Sequence, residues 1–86
     1  MKQLERVLKA LANRRRLAIV RYLKGHRDAS VGQVAQAIRL SLKSTSKHLV
    51  ILHSVDILER EQRSLQMYYG LAGRRPRPVD SVLALL

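Results

Sequence analysis

The chain has 86 residues, with 17 Lys and Arg against 6 Asp and Glu, which leaves a formal net charge of +11. This length predicts one small domain, 1–86, with a modest core, and chains of this size commonly gain stability by oligomerising. The positive charge favours a polyanionic partner, nucleic acid first, because solubility alone requires far less charge. The absence of cysteine excludes disulfides, thiolate metal sites and cysteine nucleophiles.

An anionic membrane is the competing partner for such a basic chain, and the sequence argues against it. No run approaches the roughly 18 apolar residues of a membrane-spanning helix. Trp and Phe are absent, so interfacial anchoring is poor. The start, MKQLERVLKAL, carries Glu5 and Lys9 where a signal peptide needs an unbroken apolar core. We therefore expect a cytoplasmic protein without a membrane partner.

Apolar residues at helical spacing predict three helices in the first half of the chain. The first covers residues 2–12, and the second covers 14–24 after Asn13, which suits an N-cap. A polar loop follows up to Ala29. Ser30 then begins a capping-box pattern for a third helix, from Val31 to about Arg39.

The stretch SLKSTSKHLVILHSV, residues 41–55, predicts a fourth helix with two different sides. Thr45, Leu49 and Leu52 share one stripe and predict a buried side. The outward and flanking positions carry short hydroxyls, lysines and a histidine, without an acid. The connection to the third helix is short enough to set the two helices at a steep angle, so residues 31–55 predict a helix-turn-helix.

Beyond Asp56 the apolar period changes to that of strands. The runs 57–62 and 65–71 are separated by Arg63 and Ser64, which predicts a hairpin over 57–71 with a basic tip. Leu65 is expected on the inward face of the second strand. The segment GRRPRP reads as an extended basic connector, because its prolines interrupt a helix. A last short helix is expected over 79–86.

These elements predict a mainly α fold with a small β-hairpin, in the order α-α-α-α-β-β-α of a winged helix-turn-helix. Hydrogen-bond donors on a positive background suit the major groove of duplex DNA, whose edges are rich in acceptors. The predicted DNA contacts are Ser41, Lys43, Ser44, Ser46, Lys47 and His48 on the fourth helix, with Arg60 and Arg63 on the hairpin. The competing interpretation of these residues is a solvated polar face, with the histidine packed against the hairpin. Two interpretations of the arginine run 14–16 remain open: contact with a phosphate, or a structural role within the protein.

The two terminal helices, 2–12 and 79–86, carry more apolar residues than a short chain needs for its own core. This excess favours a homodimer, with plain core as the alternative. The predicted interface residues are Leu4, Val7, Leu8, Leu11, Val79, Val82, Leu83 and Leu86.

Three segments resemble the ArsR/SmtB-type repressors. ALANRRRLAIVRYL, residues 10–23, is similar to that family's second helix; LSLKSTSKHLVIL, residues 40–52, resembles its recognition helix; SVDILERE followed by QMYYGL resembles its wing. The resemblance implies a dimeric DNA-binding repressor that reads a pseudo-palindrome and dimerises through its first and last helices.

The chain departs from the family pattern at several positions. Arg39 and Asp56 stand where glycine is usual in two turns, so both turns are expected to bend differently. Val50 stands where a basic residue is frequent. The cysteines with which well-known members bind soft metals on their third helix are absent from SVGQVAQAI.

No catalytic or metal site is predicted. Three scattered histidines do not form a tetrahedral site, and the six acids have no partnered histidine or glycine-rich phosphate loop. We expect neither an enzyme nor a cofactor, and no small-molecule ligand can be identified. Two alternative functions remain: a winged-helix module for protein interaction, which would protect no defined DNA site, and a non-specific chromatin or RNA binder, which would bind scrambled duplexes equally well.

Overall fold

The computed structural model describes all 86 residues as five helices and three short strands. The helices are α1 (Lys2–Leu11), α2 (Arg14–Lys24), α3 (Val31–Ile38), α4 (Leu42–Ser54) and α5 (Val79–Leu83). The strands are β1 (Ala29–Ser30), β2 (Leu58–Arg63) and β3 (Gln66–Leu71). This arrangement is a winged helix-turn-helix, as the sequence predicted.

Side-chain caps start three of the helices where the sequence placed them. The Asn13 side chain accepts hydrogen bonds from the first-turn amides of α2. Ser30 and Gln33 form a complete capping box at the start of α3, with bonds of 2.9 and 3.2 Å. Ser41 Oγ accepts from the amide of Ser44 at 3.1 Å and begins α4. Each cap satisfies amides that would otherwise lack a partner.

Three turns have a left-handed backbone without glycine, and two of them, at Arg39 and Asp56, are those where glycine was noted as usual. Arg39 ends α3 with φ 57° and ψ 53°, and Asp56 joins α4 to the wing with φ 63°. Both turns were expected to bend differently, but Arg39 and Asp56 themselves take the conformation that glycine adopts more easily. The helix-turn-helix angle is therefore held at the cost of some local backbone strain.

The sheet contains a strand that the sequence analysis missed. Its order is β1-β3-β2, and β1 pairs antiparallel with β3 through Ala29 with Tyr69 and Ser30 with Tyr68. The loop predicted up to Ala29 thus ends in a strand. Two residues are too few to produce a periodic pattern, so only the approach of β3 identifies this pairing.

The wing is shifted by one residue from its predicted position. β2 ends at Arg63 and β3 begins at Gln66, so Ser64 and Leu65 form the tip. Ser64 takes φ 57°, which makes it a turn residue. Leu65 was expected to point inward, but it lies in the turn and is 95% exposed. The prediction for Leu65 was wrong because apolar alternation was extended past the end of the strand.

All five helices and both wing strands contribute to one core of 16 buried residues. Its fully buried members include Ile19, Leu49, Leu52 and Ile57. The short helix α5 is held on α2 by Lys24, whose Nζ donates to the carbonyl of Leu83 at 2.9 Å. None of the five helices combines the length and the apolarity that crossing a membrane requires.

Candidate nucleic-acid interface

Helix α4 has one buried and one exposed side. Thr45, Leu49 and Leu52 are buried in the protein. Lys43 and Lys47 are exposed on the opposite side, and neither takes part in an ion pair, since all the salt bridges lie elsewhere. No acidic residue occurs in α4. The exposed side therefore presents positive charge that no carboxylate of the protein neutralises.

The hydroxyl groups predicted to contact DNA lie around the start of this helix. Ser41 Oγ accepts the hydrogen bond that caps α4, which leaves its own hydroxyl proton free to donate. Ser44 and Ser46 are half-buried, one on each flank of the exposed side. The amides of Leu42 and Lys43 belong to the first turn, where N–H groups have no partner within the helix. This end of α4 is thus rich in donors.

Arg16, in the first turn of α2, connects α1 with α4. Its Nε donates to the carbonyl of Ala10 at 2.6 Å and its Nη2 to the carbonyl of Lys9 at 3.4 Å, both in the last turn of α1. Its Nη1 lies 3.2 Å from Nδ1 of His48 on α4. Because arginine can only donate, Nδ1 must accept. The imidazole proton therefore sits on Nε2, which remains available as a donor.

Burial and the same contact together lower the pKa of His48. Burial lowers the pKa of His48 below its usual 6.5, and the positive charges of Arg16 and then Arg15 lower the pKa further. The lowered pKa favours the neutral form of His48, which can donate a hydrogen bond without carrying a positive charge. The sequence left the role of Arg16 open; in the structure Arg16 binds the protein itself, through partners 6, 7 and 32 residues away.

The two wing arginines have different surroundings. Arg60 is exposed and makes one long contact, of 3.5 Å, with the hydroxyl of Tyr69. Arg63 donates to Asp28 at 2.6 Å and to Glu61 at 2.8 Å, and these hydrogen bonds raise the pKa of Arg63 above its usual range. Arg63 was predicted to contact DNA, but it joins the wing to the loop before β1. Two carboxylates already pair with this guanidinium, so its attraction for a phosphate is weaker than that of an arginine without an ion pair.

The predicted dimer residues divide into three groups by their exposure. Four of them belong to the core of the single chain: Val7, Leu11, Val79 and Leu83. Their assignment to a dimer contact is corrected, because α1 and α5 need these side chains to pack on their own protein. Leu4 and Leu8 are 38% and 45% exposed on α1, next to the fully exposed Met1. Val82 and Leu86 are half-buried.

The structure brings together no group of three or more His, Asp or Glu side chains that could hold a metal ion. His48 and His53 lie on α4 and His26 lies beyond the end of α2. Most carboxylates already pair with basic groups of the protein: Glu5 with Lys9, Asp28 and Glu61 with Arg63, and Asp80 with Arg75.

Comparison with known proteins identifies the family. The chain is 31% identical over 80 residues to the transcriptional repressor PagR of Bacillus anthracis, an alignment that covers 93% of this chain and 77% of PagR. It is also 35% identical to a homodimeric winged helix-turn-helix DNA-binding domain of Mycobacterium bovis, described as a possible ArsR-family transcriptional regulator. That structure superposes with a TM-score of 0.81 over 98% of this chain and 74% of the other. The chain belongs to the ArsR family of DNA-binding transcriptional regulators.

Another solved structure has the same fold. HlyU of Vibrio cholerae is 27% identical and superposes with a TM-score of 0.82, covering 98% of this chain and 87% of its own. No protein-family model matches the chain. As an ArsR-family member, the protein is a transcriptional regulator and not an enzyme, which confirms the prediction from the sequence.

Proposed function

We propose that this ArsR-family protein is a homodimeric repressor that places α4 of each protomer in the major groove of a pseudo-palindromic operator and occludes a promoter. The observation that carries the proposal is the exposed side of α4. Lys43 and Lys47 lie there without ion pairs, on a helix without acidic residues. Cations of this kind gain most from phosphates or guanine edges, both of which are acceptors.

His48 supplies a neutral donor beside these lysines. Its Nδ1 is held by Arg16, so the ring orientation and the Nε2 proton are set before DNA binds. A preset side chain loses less conformational freedom on binding than a free one. In this proposal His48 donates to a base acceptor or a phosphate oxygen, and Arg16 acts by positioning it.

The flanking contacts are proposed to fix the register of α4. Ser41, Ser44 and Ser46, with the first-turn amides, suit phosphate oxygens near the helix start, where the helix dipole also favours an anion. Arg60 is the wing residue best placed to reach the sugar-phosphate backbone, since it is exposed and has no carboxylate partner. Arg63 is kept only as a secondary contact.

A homodimer is supported by the apolar surface of α1. Met1, Leu4 and Leu8 are exposed on one side of this helix, and a monomer would leave this apolar surface in contact with water. The similar domain of Mycobacterium bovis is homodimeric. A two-fold dimer would present two copies of α4 to a duplex, and it therefore predicts an operator with two related half-sites.

The test is selection of bound genomic fragments by the purified protein, followed by footprinting and affinity measurements over a range of salt. We expect one protected pseudo-palindrome and a log-log salt slope of about 0.9 per neutralised phosphate. Lys47→Ala should reduce the slope by about 0.9 per protomer if Lys47 meets a phosphate, or relax base preference at one position if it meets a base.

Lys2→Ala is the matched control, because it removes one exposed lysine from the first residue of α1, outside the exposed side of α4. Its affinity and salt slope should stay close to those of the parent protein. Equal affinity for scrambled duplexes would favour the non-specific binder, and the absence of any protected site would favour a protein-interaction module. An unchanged slope and preference in Lys47→Ala would remove Lys47 from the interface.

A further inference from the structure

An apolar residue lies in the middle of the exposed side of α4, and the fold does not use it. Val50 is 46% exposed and is not among the partly buried residues that pack on the core. Valine is also a poor choice for an exposed helical position, since branching at Cβ restricts its rotamers. Neither core packing nor helix propensity accounts for a valine at this place.

Val50 belongs to the outward stripe, which we define as Lys43, Lys47, Val50 and Ser54. These residues follow each other at steps of four, three and four, so they lie along one line of the helix, opposite the buried side. The Ser54 hydroxyl donates to the carbonyl of Ile51 at 2.7 Å, so its proton is used within α4. Val50 is the member of the stripe that can form no hydrogen bond, and it lies directly beside Lys47.

The neighbouring Ile51 is also an exposed apolar residue of α4, but it faces a different direction from Val50. It is 39% exposed, close to the value for Val50, but it lines a shallow depression together with Arg6, Ala10 and Arg16, which Ser54 of the stripe also borders and Val50 does not. Ile51 therefore faces α1 and is turned about 100° away from Val50 around the helix. Leu42, which is 61% exposed in the first turn of α4, is likewise turned about 100° from Lys43. Of the three exposed apolar residues of α4, Val50 is therefore the one that points in the same direction as the two lysines.

The major groove offers one apolar group among its base edges, the C5-methyl of thymine. We propose that Val50 contacts a thymine methyl in each operator half-site and thereby sets part of the sequence preference of this regulator. This inference rests on the proposed placement of α4 in the groove. The lysines then supply affinity and position, and the valine rejects bases that place a polar edge against its methyl groups.

The geometry of α4 also places that thymine relative to Lys47. Three residues correspond to about 4.5 Å along a helix axis, close to the step of about 3.4 Å between successive bases of a strand. The thymine should therefore lie about one base pair from the group that Lys47 contacts. In a two-fold operator, it should occur at the same position in both half-sites.

The test replaces each thymine of the selected operator in turn by deoxyuridine, which pairs identically but lacks the methyl group. We expect one symmetric pair of positions at which the parent protein binds about fourfold more weakly per methyl, the factor that corresponds to about 0.8 kcal/mol for burying one such group. Val50→Ala should bind the thymine operator more weakly and should no longer distinguish thymine from uracil there. Val50→Thr, which keeps one methyl, should show an intermediate ratio.

Ile51→Ala is the matched control, since it truncates a neighbouring residue of similar exposure outside the stripe. It should keep the full thymine-to-uracil ratio. Because Val50 is exposed, its variants should melt like the parent protein, and a melting curve for each checks this. Equal binding of all uracil duplexes by the parent protein, or a full ratio in Val50→Ala, overturns the role of Val50 while leaving the DNA-binding proposal intact. Failure to select any duplex overturns both.

Discussion

Removing the Arg16 side chain should separate three elements that the structure joins at one point. Arg16→Ala deletes hydrogen bonds to the carbonyls of Ala10 and Lys9 and the contact with His48. Only the bonds of 2.6 and 3.2 Å are close to full strength, and bonds with a charged donor contribute about 1.5 to 3 kcal/mol each, less where water reaches them. The guanidinium also stabilises the negative end of the α1 dipole.

We therefore expect Arg16→Ala to lower the free energy of unfolding by about 2 to 3 kcal/mol, which for a domain of this size corresponds to a fall in Tm of roughly 10 to 20 °C. Arg15→Ala is the control, because Arg15 lies on the same turn but donates no side-chain hydrogen bond. Denaturant unfolding of both variants, repeated at several protein concentrations, measures the difference and corrects for dimer dissociation. Equal losses in the two variants would refute the proposed link.

The pKa of His48 gives a second readout of the same contact. Removing the charge of Arg16 should raise the pKa of His48 towards 6.5, although burial, the larger cause, remains. A folded pKa below the unfolded value means that the stabilising contribution of neutral His48 is complete above about pH 6.5 and is lost as the pH falls through the lowered pKa. The variant should lose less stability than the parent over this acid interval. An NMR titration of His48 with an unchanged midpoint would contradict the contact.

The remaining predictions concern three local features. Gly70→Ala should cost about 1 to 3 kcal/mol, because a Cβ there would lie 2.7 Å from the backbone carbonyl of Arg27, whereas Gly73→Ala, with open space, should be nearly neutral in the same denaturant titration. Arg39→Gly should stabilise the protein by roughly 0.5 to 1 kcal/mol, because glycine adopts the left-handed backbone of this turn without strain. Arg39→Ala keeps the Cβ and should not stabilise the protein. Equal changes in stability for the two variants would show that the loss of the arginine charge, and not the backbone strain, is the cause. Thr45→Val should raise stability by about 1 kcal/mol, because the buried Thr45 hydroxyl has no hydrogen-bond partner. A lower melting temperature of the variant in calorimetry would show that the hydroxyl does have a partner.

Much of the helical framework could be predicted from local pattern. The bounds of α2 agree with the prediction, and the caps at Asn13, Ser30 and Ser41 form as expected. These features depend on residues within one or two turns of each other, so a short window of sequence contains their cause. The placement of Thr45 and Lys47 on opposite sides of α4 likewise follows from the helical period within one turn.

The surroundings of individual side chains could not be predicted in this way. Arg63 lies on a hairpin that was correctly expected, yet its partner Asp28 is 35 residues away. Val7 and Leu4 have the same apolar character on the same helix, but one is fully buried and the other is exposed. Periodicity shows that a helix has an apolar side. How much of that side the core covers depends on the neighbouring helices.

The local order of apolar, capping and basic residues by itself determines where the helices begin, which side of α4 is buried and that the chain attracts a polyanion. The contact of Arg16 with His48, the pairing of Ala29 with Tyr69 and the division of α1 into core and free surface are decided only in the folded protein. The physical reason is range: helix periods and caps act within one or two turns, whereas side-chain pairing and burial depend on which distant elements the packing of the whole chain brings together.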